Sequence, residues 1–199
     1  MPKIMYDGIE FDSEEERLFF LYVKELKQEG FVKEFSFHNK EFVLSEVVKF
    51  SWKKFLKTKE KDVETTLLHP HVYTPDFHIE WNPKAYGIFY CYIDDEHKFG
   101  KIPFINNIDN NGDNIGSYVE VKPAFDMNNM TRLFTINQKW MFQEYMIYIQ
   151  KVIPIGKNTC LFAKTFVPQE SMFTPKTKKP KKYKFETKSL NEFIGGFNE

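Results

Sequence analysis

The sequence predicts an α/β fold: a central mixed β-sheet flanked by helices, with an inserted β-hairpin and a basic C-terminal tail. Three observations carry that expectation. Residues 73–81 and 117–123 alternate apolar and polar side chains with the period of a strand. Two longer stretches, one opening at Ser13 and one following Pro123, place apolar residues at helical spacing. The chain has 199 residues, 42% of them hydrophobic and 18% aromatic, enough for one domain with a real core and a tail.

Taken in order, residues 6–11 read as a short turn or strand bent at Gly8. Ser13 is a good N-cap, and Glu16 three residues later completes a capping box. The helix runs to about Glu29 and stops at Gly30, with Leu18, Leu21, Tyr22 and Leu26 as its buried stripe. Glu14, Glu15 and Glu16 all suit the positive end of the helix dipole, and Glu16 reads both as a cap and as a candidate site residue. Residues 31–38 and 41–52 read as two strands hinged at Asn39 and Lys40, with Phe35 and Phe37 on one face. Lys49, Lys53, Lys54, Lys57, Lys59 and Lys61 crowd the end of this hairpin, as a solvated face or as a contact to DNA phosphates. His69 and His71 flank Pro70; with no cysteine or further histidine nearby they read as loop residues rather than zinc ligands.

In residues 73–81, Phe77, Ile79 and Trp81 share one face, and Asp76, His78 and Glu80 share the other. Pro75 sets Asp76 at the start of this strand. His78 reads as a hydrogen-bonded surface histidine or as a contact to a substrate phosphate or to a metal's water shell. In residues 117–123, Val119 and Val121 point into an apolar layer, Glu120 and Lys122 point together to the other side, and Pro123 ends the run. A carboxylate and an ammonium side by side near the end of a buried strand are costly to desolvate, and such a pair persists to serve a metal, an anion or each other. Pairing the two strands brings Asp76 close to Glu120 and Lys122. Two hard oxygen ligands suit Mg²⁺ or Mn²⁺, and with a lysine beside them they meet the needs of phosphodiester hydrolysis.

Residues 82–116 intervene between these strands and read as an inserted or lengthened hairpin, suited to selecting DNA shape or to a dimer contact: a strand over 86–93, a turn over 94–100, a short strand over 101–105, and an Asn/Asp/Gly-rich loop over 106–116. Asp109 and Asp113 lack the terminal Glu of an EF-hand calcium loop. After Pro123 a second helix spans about 129–150, with Leu133, Ile136, Trp140 and Ile147 as a core stripe widened by Phe134, Met141, Tyr145 and Tyr148. Pro154 and Gly156 break the chain, and residues 159–167 read as a last strand. From Pro168 onward Lys176, Lys178, Lys179, Lys181, Lys182, Lys184 and Lys188 interleave with Pro175 and Pro180. Residues 168–199 therefore read as a flexible basic tail, either solubilising or drawn to polyanions by counterion release, whose end at 190–197 docks back or binds a partner.

Lys+Arg and Asp+Glu are both 28, a formal net charge of +0, so support for nucleic-acid binding has to come from clustering. Cys91 and Cys160 are far apart and form no metal-type cluster, which points to a reduced intracellular protein. The polar opening Met1-Pro2-Lys3 is not a signal peptide, and no apolar run is long enough to span a bilayer. The bias to Lys, Asn, Phe and Tyr points to an AT-rich genome.

Pro75-Asp76 followed by Glu120-Val121-Lys122 resembles the signature of the PD-(D/E)xK nuclease superfamily. Other Glu-x-Lys tripeptides occur at Glu25, Glu96 and Glu186, but only Glu120 has β-branched neighbours on a strand and follows the Pro-Asp strand. The run Gly8-Ile9-Glu10-Phe11-Asp12-Ser13-Glu14-Glu15-Glu16 is similar to the opening of small phage and bacterial members related to Holliday-junction resolvases. In those proteins a Glu on the first helix faces the metal, and Glu16 is the position that fits. The resemblance covers about residues 6–155 and implies a restriction-endonuclease-like core within a nuclease domain over residues 1–167. It implies a DNA endonuclease dependent on Mg²⁺ (or Mn²⁺), with Asp76, Glu120 and the backbone carbonyl of Val121 as metal ligands. Glu16 would orient the attacking water, and Lys122 would position that water or stabilise the developing charge. Gln138 and Lys139 match a Gln or Lys that family members aim at the site from the following helix, and Arg132, Lys53, Lys54, Lys179 and Lys182 are candidate DNA contacts. The expected partner is DNA, branched or duplex, in the cytoplasm of a bacterial host cell. A four-way junction has two-fold symmetry and would call for a C2 homodimer. The 82–116 stretch departs from the short hairpin of compact members. Two alternatives stay open: a non-catalytic DNA-binding or assembly module with the same fold, and the nuclease subunit of a restriction, repair or transposition system.

Overall fold

Strand β1 (Ile4–Tyr6) and strand β2 (Ile9–Phe11) form a hairpin whose two turn residues, Asp7 and Gly8, have φ of 53° and 77°, the conformation that a two-residue hairpin requires. The structure is a computed structural model and describes residues 3–92, 104–128, 132–174 and 177–197. The expected turn over 94–100, Glu96 with its tripeptide, the start of the expected strand over 101–105, the expected helix start at 129 and Lys176 lie outside the described residues. Helix α1 (Glu14–Gln28) begins on Ser13, whose Oγ accepts the Glu16 N–H, and ends before Gly30 at φ 71°. Its expected stripe is buried, and so are Phe19, Phe20 and Val23. α1 is therefore sunk in the core along most of its girth rather than lying on the surface.

Strand β3 (Val32–Phe37) forms as expected. The single strand expected over 41–52 is instead two, β4 (Phe42–Ser45) and β5 (Val48–Phe55), parted at Glu46 and Val47. β5 pairs antiparallel with β6 (Glu60–Leu68), a strand that the residue pattern did not indicate, and β4 pairs with β7 (His71–Tyr73), which takes in His71, expected in a loop. The lysine-rich segment is thus a separate two-stranded ribbon and not the end of a hairpin with residues 31–38. β8 (Phe77–Trp81) carries the Pro-Asp face. The aromatic strand expected over 86–93 shrinks to β9 (Tyr90–Cys91), because the N–H groups of Tyr86, Ile88 and Phe89 are taken by the carbonyls of Pro83 and Ala85 in a tight turn. β10 (Phe104–Ile105) pairs with β9, and β11 (Asn107–Ile108) pairs with the start of β12 (Asn114–Val121). The loop expected over 106–116 is therefore mostly a hairpin, tightened by Asp109 Oδ1, which accepts the N–H groups of Asn111 and Asp113. Phe89 and Phe104 are fully buried, so the insertion completes the core.

Helix α2 (Arg132–Tyr145) is shorter than expected: Met146, at φ 56°, ends it, and the alternation that follows becomes strand β13 (Ile149–Val152), parallel to β12. α2 buries Phe134, Asn137 and Met141, while Leu133 and Ile136 of the expected stripe are 61% and 53% exposed. The helix sits one residue, about 100°, out of the expected phase, because its apolar residues populate more than one face and periodicity alone does not choose between them. Residues 161–164 form the short helix α3 (Leu161–Lys164) in place of the expected last strand. The segment after Pro168, expected to be a flexible tail, makes specific contacts with the rest of the chain. Tyr183 donates from its hydroxyl to the Ser171 carbonyl, and α4 (Leu190–Gly195) carries a complete capping box between Ser189 and Glu192. Leu190 is buried, and the Phe193 ring lies 5.8 Å from that of Phe89. Apolar residues interleaved with the lysines supply the burial that composition alone conceals.

The main sheet is mixed and five-stranded. β3, β8 and β12 run antiparallel in that order, and the other edge of β12 takes β11 along its first part and β13 along its second. α1 packs on the face bearing Phe77, Ile79, Trp81, Val119 and Val121. α2 and the β4–β7 pair cover the face bearing Tyr118 and Ile149. Among the described residues no helix is long and apolar enough to cross a membrane.

Gly116 permits the close approach of β12 to β8. It has φ 87°, and a Cβ there would lie 2.4 Å from the Ile79 carbonyl oxygen. Gly116→Ala is expected to lower stability by about 2 kcal/mol or more, from strain and collision together, measured as a shift in the urea midpoint at unchanged slope.

Candidate active site

The register of β8 against β12 brings the expected acids together. Tyr118 lies opposite His78 and Val119 opposite Phe77, so one further step sets Glu120 opposite Asp76 with both side chains on the same face. Each carboxylate is held by specific donors. Asp76 Oδ2 accepts the Val121 N–H at 2.7 Å, and its Oδ1 lies 3.1 Å from His38 Nε2. Glu120 Oε1 accepts from Lys122 Nζ at 2.6 Å, and its Oε2 from the Tyr73 hydroxyl at 2.7 Å. The Asp76 and Glu120 side chains are 13% and 11% exposed, at the end of the sheet rather than within it.

Pro75 shapes this corner. Continuing the register places it opposite Val121, and a proline has no N–H to give to the Val121 carbonyl. The Val121 N–H, which a continued ladder would pair, goes to the Asp76 side chain instead. In an extended strand the carbonyl points to the same side as the N–H of its own residue, so the Val121 carbonyl is directed at the Asp76 side.

Glu16 reaches the same region from the N-terminus of α1. Its Oε1 accepts from the Ser13 hydroxyl and its Oε2 from the Asp12 N–H, each at 3.0 Å. Burial pushes its carboxyl above the ordinary glutamate value, and the Asp76 charge pushes it further. Burial and Asp76, in that order, also raise Glu120, against the opposing pull of Lys122 and Tyr73. Burial alone would lower Lys122, but the Glu120 carboxylate overrides it and leaves the ammonium above its ordinary value. His38 is raised chiefly by its hydrogen bond to Asp76.

The raised Glu16 has a measurable consequence. A carboxyl whose folded value exceeds its unfolded one makes a contribution that is complete below the unfolded value and is lost as pH rises through the folded one. Glu16→Gln keeps an acceptor for Asp12 and a donor for Ser13 without the charge. Its melting temperature relative to the parent is therefore expected to climb from pH 4 upward and to level off above the folded value; a difference that is flat with pH would rule out the buried charge as the cause.

Other expected site residues lie elsewhere. Gln138 donates to the Ile149 carbonyl at 2.7 Å, so its amide serves the edge of β13 and not the acids. Lys139 and Arg132 are exposed on α2. Lys53 and Lys54 lie on the β5–β6 ribbon, and Lys179 and Lys182 on the folded C-terminal segment. His78 turns away, with Nε2 2.7 Å from the Ile115 carbonyl and its ring on Tyr118, and His71 stacks on Trp140 and bonds Asn137. The sequence reading missed four participants. His38, at φ 46° just past β3, is turned back onto Asp76. Tyr73 ends β7, two residues before Pro75, and its hydroxyl reaches Glu120. Lys151 lies beside Glu120 on β13 and pairs at 3.1 Å with Asp126, which is fully buried. Only Tyr73 carried a local signal, its place two residues before the Pro-Asp pair. The others depend on pairings that periodicity does not reveal.

Among the described residues no three His, Cys, Asp or Glu side chains are gathered as a ready metal nest, and Glu16 in particular spends its oxygens on Asp12 and Ser13. The oxygen set at the end of β12 nevertheless has the chemistry that suits a hard divalent cation: two carboxylates in each other's field and one carbonyl that faces a proline. No protein-family model matches the chain, and neither a curated protein nor a solved structure matches it.

Proposed function

We propose that the protein is a metal-dependent DNA endonuclease of the PD-(D/E)xK type, with a restriction-endonuclease-like core, structure-selective toward four-way junctions and acting as a C2 dimer. The observation that carries this reading is the meeting of Asp76, Glu120 and Lys122 at one strand end, from segments 45 residues apart in the pairing of Asp76 with Val121, with Glu16 in the field of Asp76. Asp76, Glu120 and the Val121 carbonyl would hold Mg²⁺ or Mn²⁺. Bound there, the ion supplies a charge clamp and a water of lowered pKa. Lys122, held above its ordinary value, stays protonated at neutral pH and acts as a fixed positive charge toward a phosphate rather than as a base. Glu16, raised above its ordinary value, is a better proton acceptor than a free glutamate. His38 keeps the Asp76 carboxylate oriented.

The junction preference rests on the Gly8–Glu16 phrase, and the support for it is that Glu16, the last residue of that phrase, lies in the field of Asp76. A second reading, a DNA-binding module with this fold and no catalysis, draws support from the carboxylate oxygens of Asp76, Glu120 and Glu16, each of which already has a donor. A panel of linear, nicked, flap, fork and four-way DNA, incubated with Mg²⁺, with Mn²⁺ and with EDTA, separates the two. Metal-dependent cleavage strongest on the four-way substrate is expected; binding with no cleavage under any metal would leave only the second reading.

A further inference from the structure

The β5–β6 ribbon has two unlike faces. On one, Lys49 pairs with Glu64 at 2.7 Å and Lys53 with Glu60 at 3.3 Å, with Asp62 across from Lys53, so acid and base neutralise each other. On the other, the cross-strand pairs are Phe50 with Thr65, Trp52 with Val63, and Lys54 with Lys61. That face bears no acid along these pairs. The Phe50 and Trp52 rings lie 5.8 Å apart at 23°, and they are 54% and 40% exposed. Every residue of β5 is exposed, so the fold does not use these rings as core. Among the described residues neither Lys54 nor Lys61 has an ion-pair partner, and like charges directly opposite each other weaken a ribbon. Two unpaired cations beside an exposed aromatic pair complement a polyanion whose bases are free to stack. The only charged residues in these three pairs are Lys54 and Lys61.

We propose that this face of the ribbon grips unpaired DNA: Phe50 and Trp52 stack on bases that have left the duplex, and Lys54 and Lys61 contact the flanking phosphates. The inference rests on the reading of the protein as acting on branched DNA and takes the ribbon's target to be bases that unpair at a branch point. It also divides the basic run, because Lys53 is committed to the opposite, neutralised face while Lys54 is not.

The test is fluorescence anisotropy with labelled fork DNA bearing single-stranded arms and with blunt duplex, in EDTA, so that binding is read without cleavage. Phe50→Ala/Trp52→Ala is expected to weaken fork binding by about tenfold or more and to leave duplex binding nearly unchanged. Lys54→Gln/Lys61→Gln is expected to weaken fork binding and to reduce its salt slope by about 1.4, two phosphates' worth. Lys53→Gln should change neither, and far-ultraviolet circular dichroism should show every variant folded as the parent, with Lys54→Gln/Lys61→Gln no less stable because it removes a like-charge pair. Unchanged fork binding in both double variants overturns the proposal. So does loss of a parent dimer in light scattering with DNA binding intact, which would make the face an interface between copies. Because the assay omits metal, a protein that binds forks through this face and cleaves nothing sinks the nuclease reading alone. Cleavage that persists while both double variants bind normally sinks the ribbon alone.

Discussion

Lys122→Ala and Asp76→Ala are each expected to lower DNA cleavage by on the order of 10²–10³-fold while leaving a folded protein. The two substitutions act differently on the same cluster. Without Lys122, Glu120 loses its closest donor, at 2.6 Å, and stays beside Asp76 with only the Tyr73 hydroxyl as a partner. The Glu120 carboxyl then rises further, and the variant should lose stability more steeply than the parent as pH increases from 5 to 8. Without Asp76, Glu120 and Glu16 keep the burial that chiefly raises them but lose the Asp76 charge that adds to it, so this variant should be less pH-sensitive than the parent over that range. The measurements are single-turnover cleavage and melting temperature against pH. Parent-level cleavage by Asp76→Ala would overturn the site assignment. Loss of activity in Lys122→Ala with the parent's pH–stability curve would show that the lysine does not govern Glu120.

Phe77→Ala is expected to cost about 3–5 kcal/mol, a large part of the stability of a domain this size. Phe77 is 1% exposed, with the Phe19 ring 4.9 Å away and the Phe37 ring 5.0 Å away. It joins α1, β3 and β8 at one point, next to Asp76 in the chain. Truncation leaves a cavity that three aromatic-rich elements cannot all move to fill. Chemical denaturation of Phe77→Ala and Phe77→Leu checks this. The leucine variant, which keeps most of the volume, should lose much less, and equal losses would mean that ring packing is not the cause.

The pattern of residues made some features legible and hid others for identifiable reasons. α1 could be read because cap, stripe and stop agree: Ser13, the buried leucines and Gly30 all indicate one helix. The meeting of Asp76 with Glu120 could be read because strand alternation puts both on one side and prolines mark where each strand begins or ends. α2 could not be phased, since Leu133 and Ile136 suit a helical stripe as well as Phe134 and Met141 do, and only packing on β4 and β13 selects the buried set. β6 was hidden because its threonines and charges carry no apolar alternation; it is held by pairing with β5 and not by burial. The C-terminal segment was hidden because seven lysines outweigh, in composition, the few residues that anchor it, such as Leu190.

The residue order alone determined the chemistry on offer: one helix with an acid in its first turn, a strand opened by Pro75 and Asp76, and a strand closed by Glu120, Lys122 and Pro123. These are local properties, set by periodicity, capping and the missing N–H of proline. Only the tertiary structure decided which donors hold those acids, that Gln138 serves a backbone carbonyl, and that the lysine-rich run becomes a ribbon with one neutral and one basic aromatic face. Those outcomes depend on register and on pairings between distant segments, where a shift of one residue turns a side chain from one face to the other.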